Sequence, residues 1–294
     1  MDIIQLQDKQ DGWRIYRFND ETSRNAALAA HHIKIGEGVS FAPYVMIGDY
    51  AELGNNVYMS EESVVSHHCI IGDNTLIDKG AFVSKHARIG NDCILSPDSF
   101  IAPEATVGDK TVIGYQSELG DKVKVGNNVK IGKHSYIMDN TEVMDGCEIG
   151  DGVFIGKSSR AGFFVMIGND TQLVRDVFVQ EGVNVVAGSR IKPFTKVTRN
   201  SVQVDNKRLE NAIRQMAGSL KYDQIGTWTS LEGIRCVRAQ VGGVWLPSQR
   251  VDRTDSQAFS KGEMTLKDMA DKYIAPAYIK QSLTAEVPVQ GLRR

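Results

Sequence analysis

Residues 65–100, written in sixes, read VSHHCI IGDNTL IDKGAF VSKHAR IGNDCI LSPDSF. The first residue of each six is Val, Ile or Leu, and the fifth is Cys, Thr, Ala or Ser. The same register runs outward in both directions, from Ile35 to Lys196, as 27 units without an insertion or a deletion. Position one is apolar throughout, and is Leu, Ile or Val in every unit except those of Phe41, Met59 and Ala161. Position five is always Val, Ala, Ser, Thr or Cys, and position two is Gly in about half of the units. A fixed short period marks a solenoid. Inward sites at one and five do not have the spacing of a helix face.

A large aliphatic and a small residue pointing inward fit a narrow prism of short parallel strands. Three units make one triangular coil, with position one filling the core and position five sitting where the wall turns. Gly at position two is expected to relieve the tight backbone near the corner. The 27 units give nine coils, which at strand spacing stack to roughly 43 Å. The unit beginning at Ala29 fits loosely, with Ile33 at position five, so the prism is expected to have about nine to ten coils. Inward residues of successive coils then lie on one another and make a continuous core.

The rest divides around this prism, taken as residues 29–197. Residues 1–28 read as an N-terminal strand and cap segment, with the alternating run Trp13–Phe18 as the strand. Residues 198–294 read as a small α+β region. Asp205 or Asn206 can cap a helix over about 206–218 with Leu209, Ala212, Ile213 and Met216 on one face. Ile234–Val241, Gly242-Gly243 and Val244–Leu246 read as a hairpin over about 234–246. Thr265 and Asp268 suit a capping box before a helix over about 265–275, with Pro276 following.

The net charge of −2 gives no sign of nucleic-acid or membrane affinity, and no apolar run approaches a membrane span. Three of the four cysteines, Cys69, Cys93 and Cys147, take the inward small position, and Cys236 stands apart. There is no disulfide framework, so a reducing, cytoplasmic setting is expected.

All six histidines fall at positions three and four, on the outward corners. Residues 18 apart stack. One position-four column reads His32, Tyr50, His68, His86, Glu104, Lys122, and its position-three neighbour reads His31, Asp49, His67, Lys85, Pro103, Asp121. Five of the six histidines therefore share one edge, with His68 and His86 about 5 Å apart at the backbone. Corners are exposed and need polar residues, so a solvated or subunit-packed edge is the plain alternative. The mixture of imidazole, carboxylate, ammonium and phenol on one line favours function.

The repeat, over about residues 29–197, resembles the left-handed β-helix of the hexapeptide-repeat acyltransferases, a fold shared with the gamma-class carbonic anhydrases. The left hand comes with that resemblance. Ser66-His67-His68-Cys69-Ile70-Ile71-Gly72-Asp73-Asn74 is similar to a His-x-Cys-x-Ile-Gly-Asp-Asn segment of both groups. By resemblance to the nucleotide-sugar acetyltransferases, His67 is the catalytic base, with His68 where an acidic residue usually follows. By resemblance to the acyltransferases that start lipid A synthesis, the base is His86, and of the two His86 is preferred because Glu104 and His68 flank it in the column and could orient it. The resemblance implies transfer of an acyl, in the first instance acetyl, group from a coenzyme A or carrier thioester to a hydroxyl or amine. It also implies a homotrimer with the active site between subunits. His32, Tyr50, His68, Lys85 and Glu104 then line the substrate. Arg190, Lys192 and Lys196, near the closing Val186-Ala187-Gly188-Ser189 and Pro193, meet the phosphates of the donor.

Thr75–Ala81 is similar to the gamma-class carbonic anhydrases, and a degenerate relative of that class is one alternative; but if His67 is one of their zinc pair its partner position is Glu62, so no metal is expected. A different class of answer is a non-catalytic trimeric scaffold, a virion component or a ligand-binding protein, since the prism has no loop excursion over an acceptor.

Overall fold

The computed structural model describes residues 2–8, 12–204, 216, 220–230 and 232–284. The chain forms two compact units, residues 1–204 and 205–294. The first is a triangular parallel β-solenoid of about nine coils.

Each wall is a stack of two- or three-residue strands hydrogen-bonded in parallel with the strand 18 residues on. Leu76–Ile77, for example, lies between Tyr58–Met59 and Ile94–Leu95. The first wall joins Val45–Ile47, Val64–Val65, Phe82–Val83, Phe100–Ile101 and their successors up to Arg190–Ile191. The second runs from Lys34–Ile35 to Thr195–Val197, and the third from Ser40–Phe41 to Asn184–Val185. Position-one residues from Ile47 to Val185 are buried, as are the position-five residues from Val39 to Val183. They make one continuous core with no break between coils.

Every position-four residue from His32 to Phe194 has φ between +50° and +71°, whatever its type. The left-handed turn of the corner therefore belongs to position four. A non-glycine residue there gives up about 1–2 kcal/mol. The position-two glycines serve a different need from the one expected. A Cβ on Gly90 would lie 2.7 Å from the Asp109 backbone nitrogen and 2.4 Å from Asp109 Oδ1. Gly is favoured there because the next coil approaches, not because the backbone turns.

Most of the small polar residues at position five are satisfied within the core, and the buried Ser99 Oγ is the exception among the described residues. Thr75 Oγ1 donates to the Gly90 carbonyl at 3.0 Å, Ser135 Oγ to Gly150 at 2.8 Å and Cys93 Sγ to Gly108 at 3.1 Å. The buried cysteines thus do more than fill space. Burial pushes the Cys69 thiol up to about 12, so it stays protonated as a donor to the Ser84 carbonyl.

At each end of the prism one wall gains a strand from outside the repeat. Asp2–Asp8 adds to the first wall, parallel to Val45–Ile47, and Gly12–Phe18 pairs antiparallel beyond it. A helix, Glu21–Ala30, is capped by Asp20 and buries Leu28 against the core. At the far end Val202–Val204 turns back antiparallel on Thr195–Val197.

In the second unit, Gln224–Thr229, Arg235–Val241, Val244–Trp245 and Gln249–Arg250 form an antiparallel sheet. Val237 and Ala239 pack with Val251, Met269, Ala270 and Ile274. Thr265 and Asp268 form a capping box. The helix expected to stop at about 275 runs on through a π-helical turn, Ala270–Ile274, and Ala275–Thr284. The wider turn spares the hydrogen bond that Pro276 cannot donate. The helix expected over about 206–218 lies outside the described residues apart from Met216.

Two opposite outcomes test this assignment of the corner. Gly90→Ala lowers the melting temperature by several degrees. His134→Gly, at φ +52°, leaves it unchanged or raises it. Thermal unfolding followed by circular dichroism reads both.

Candidate active site

The 18-residue stacking carries the side chains of the histidine edge into register. His32, Tyr50, His68 and His86 form one column of four stacked rings. Centroid separations are 4.7, 4.8 and 5.0 Å, and neighbouring planes lie within 10° of each other. All four residues are exposed, so the ring edges with their nitrogens and hydroxyl line a polar ridge. Their positive φ is the property of every position-four residue and is no mark of function by itself.

Beside this column, His31, Asp49 and His67 follow one another at position three. His31 Nδ1 lies 2.9 Å from Asp49 Oδ1, with side-chain exposures of 21% and 29%. The Tyr16 ring, from the N-terminal hairpin, meets His31 edge-on at 6.2 Å. His67 is half-buried, and burial holds its pKa below that of an ordinary imidazole. Asp49 acts in the opposite direction and His68, His86 and Lys85 reinforce the lowering. At neutral pH this imidazole carries a free lone pair.

Of the other residues singled out in the sequence, Lys85 is exposed one coil from His67. Glu104 faces Lys122, at 3.7 Å, and so is engaged away from His86. Arg190 stands on the first wall and Lys196 on the second, with the exposed Lys192 at the corner between them. The Lys196 ammonium lies 5.9 Å from the Phe178 ring centre. His134 is on another edge, where it meets Tyr115 edge-on at 5.4 Å. The contact missed from the sequence is His31–Asp49. Its signal was present, since the two are 18 residues apart in one column.

Among the described residues no three His, Cys, Asp or Glu side chains gather into a set able to hold a metal ion. A groove of about 560 Å³ near the end of the prism is lined by Asn184, Ser189, Arg199 and Asn200 among others.

A family model described as the GMPPB C-terminal domain matches residues 95–207, and one described as bacterial transferase hexapeptide (six repeats) matches residues 68–103. No curated protein matches the sequence. Among solved structures, the chain is similar to the UDP-N-acetylglucosamine acyltransferase of Francisella novicida, at 18% identity and a TM-score of 0.43, over 61% of this chain and 71% of that one. It is also similar to the UDP-N-acetylglucosamine O-acyltransferase of Moraxella catarrhalis, at 20% identity and a TM-score of 0.37, over 63% and 79%. A third is the acetyltransferase domain of PglB from Neisseria gonorrhoeae in complex with acetyl coenzyme A, at 19% identity and a TM-score of 0.19, over 45% and 59%. At these identities and TM-scores the likeness carries no statement about what this chain does. With its unbroken register and its match to the bacterial transferase hexapeptide, the chain is a hexapeptide-repeat protein.

Proposed function

We propose that the chain is an acyltransferase. It moves an acyl group, acetyl in the first instance, from a coenzyme A or carrier thioester to a hydroxyl or amine acceptor. The observation that carries this reading is the half-buried His67 on an edge where four further histidines and Asp49 converge. The match to a transferase repeat agrees with it.

The chemistry needs no protein nucleophile. A neutral imidazole takes a proton from the acceptor as its oxygen or nitrogen attacks the thioester carbonyl, and the thiolate leaves. His67 fits that general-base role, because its burial keeps the lone pair available. His86, stacked on His68, is the second candidate. His32, Tyr50, His68, Lys85 and Glu104 flank them as substrate contacts, and Arg190, Lys192 and Lys196 offer charge for the donor's phosphates. A homotrimer suits the outward row of the first wall, where Phe82 and Phe100, then Tyr136 and Phe154, flank the half-buried Glu118, and which a neighbouring subunit would cover. The four free thiols suit a reducing, cytoplasmic setting. Among the described residues no helix is long and apolar enough to cross a membrane.

A binding scaffold is the second reading. It is favoured by the uninterrupted coils, which offer no loop to fold over an acceptor.

Thiol release from acetyl-coenzyme A in the presence of acceptor tests the first reading. His67→Ala lowers kcat/KM by about 10²–10⁴-fold and leaves the sedimentation coefficient unchanged. Full activity in both His67→Ala and His86→Ala removes the proposed bases, and inert wild-type protein favours the scaffold.

The protonation state has its own test. The His67 ring titrates below the ordinary imidazole range by nuclear magnetic resonance, and Asp49→Asn moves it lower still, because the carboxylate favours the imidazolium. The neutral form is the one the fold prefers. Its contribution to stability is therefore present above about pH 6.5, the unfolded value, and is lost as pH falls from there towards the folded value.

A further inference from the structure

Some acids of the prism are neutralised by a Lys one coil away, and others have no cation partner among the described residues. Lys34 pairs with Glu52 at 2.7 Å, Lys79 with Glu61 at 3.0 Å and Lys157 with Asp139 at 2.6 Å. Asp49 differs. Its partner is the imidazole of His31, a group charged only when protonated, and no Lys or Arg among the described residues pairs with it. Asp49 Oδ2 accepts no hydrogen bond from a described residue, while Oδ1 faces His31 Nδ1. When Nδ1 donates to Asp49, the lone pair of His31 is on Nε2 and points away from the carboxylate. The column thus sets one unneutralised carboxylate between two imidazoles, His31 one coil below and His67 one coil above. The part-shielded position of the pair, beside the Tyr16 ring, strengthens its field relative to open solvent.

Such a carboxylate discriminates between acceptor types. A hydroxyl acceptor develops negative charge as it attacks, and Asp49 opposes that. An amine at neutral pH arrives as an ammonium, which Asp49 attracts, and it must shed two protons to become an amide. We propose that the acceptor is a primary amine, bound as its ammonium by Asp49, that it loses one proton to water and that His67 takes the second. The proposal rests on the acyl-transfer reading above. In the reaction, one N–H proton passes to water and frees the nitrogen lone pair. That pair forms the C–N bond at the thioester carbonyl carbon. The second N–H proton passes to His67, the carbonyl reforms, and the C–S bond breaks with its electrons on sulfur. The thiolate recovers the proton held by His67, and the net proton released is the one already lost to water. The products are an amide and a free thiol.

The test compares 2-phenylethylamine with 2-phenylethanol as probes on the full chain, with acetyl-coenzyme A as donor. Thiol release is followed, and hydroxylamine, which cleaves esters and spares amides, types the product. The expected result is an amide, with kcat/KM for the amine at least tenfold above that for the alcohol. Asp49→Asn raises the KM for the amine at least tenfold, and Asp49→Glu restores most of it. An ester product, a preference for the alcohol, or an unchanged amine KM in Asp49→Asn overturns the amine proposal and leaves acyl transfer standing. No thiol release from wild-type protein with either probe overturns both. The amine–alcohol comparison uses unaltered protein, so it decides the question even where a variant fails to fold.

Discussion

The hydrogen bond between one coil and the next governs this molecule. Each wall strand donates to the strand above it, as in Ile70 N–H to the Ala87 carbonyl at 3.1 Å and Gly72 N–H to Ile89 at 2.9 Å. Because this ladder never slips, residues 18 apart occupy the same place at successive heights. A one-residue slip would turn every inward Ile and Val to solvent. The core and the outer ridges therefore share one cause, and neither can be altered without the other. The ring column His32–Tyr50–His68–His86 is a by-product of that ladder, spaced by the backbone and not by any attraction between rings.

The same ladder explains how the corners are held. On one edge Asn55, Asp73, Asn91, Asp109, Asn127 and Asp145 alternate at position three. Each accepts, through its side chain, the backbone N–H of the residue one coil below, as Asp73 does from Asn55 at 2.7 Å and Asn91 from Asp73 at 2.8 Å. These bonds offset part of the cost of the left-handed residue beside them. The histidine edge lacks that ladder. Its position-three groups, His31, Asp49, His67 and Lys85, do not form a continuous chain of side-chain-to-backbone bonds, and this leaves them available to a ligand.

The solenoid was legible because its period is short, strict and repeated many times. The histidine column followed from the same arithmetic, with no appeal to chemistry. What was not legible has physical reasons. The role of the position-two glycines was misread because a sequence shows that a side chain is missing, and not whether a turn or a neighbour excludes it. Close approach of Asp109 to Gly90 is visible only in three dimensions. The pairing of Glu104 with Lys122 instead of His86 turns on side-chain rotamers, which no period encodes. Arg190 and Lys196 read as one cluster because they are close in the chain, yet half a dozen residues of this repeat carry the backbone round a corner. The second unit has no repeat, so its reading rested on local signals. These marked the Gly242-Gly243 turn and the Thr265 capping box, but could not foresee a π-helical turn absorbing Pro276.

The strands added at the ends of the prism have a consequence for its length. A stack of identical rungs contains no instruction to stop, and its last strands present unpaired amide and carbonyl groups to any other chain. Here Asp2–Asp8, turned back by Gly12–Phe18, takes up those groups on one wall at the lower end. Val202–Val204 does the same at the upper end, with its direction reversed. A strand of reversed direction cannot template another parallel rung. The terminal segments thus act as stoppers, and they keep a rod whose every layer could seed the next from growing into a fibre.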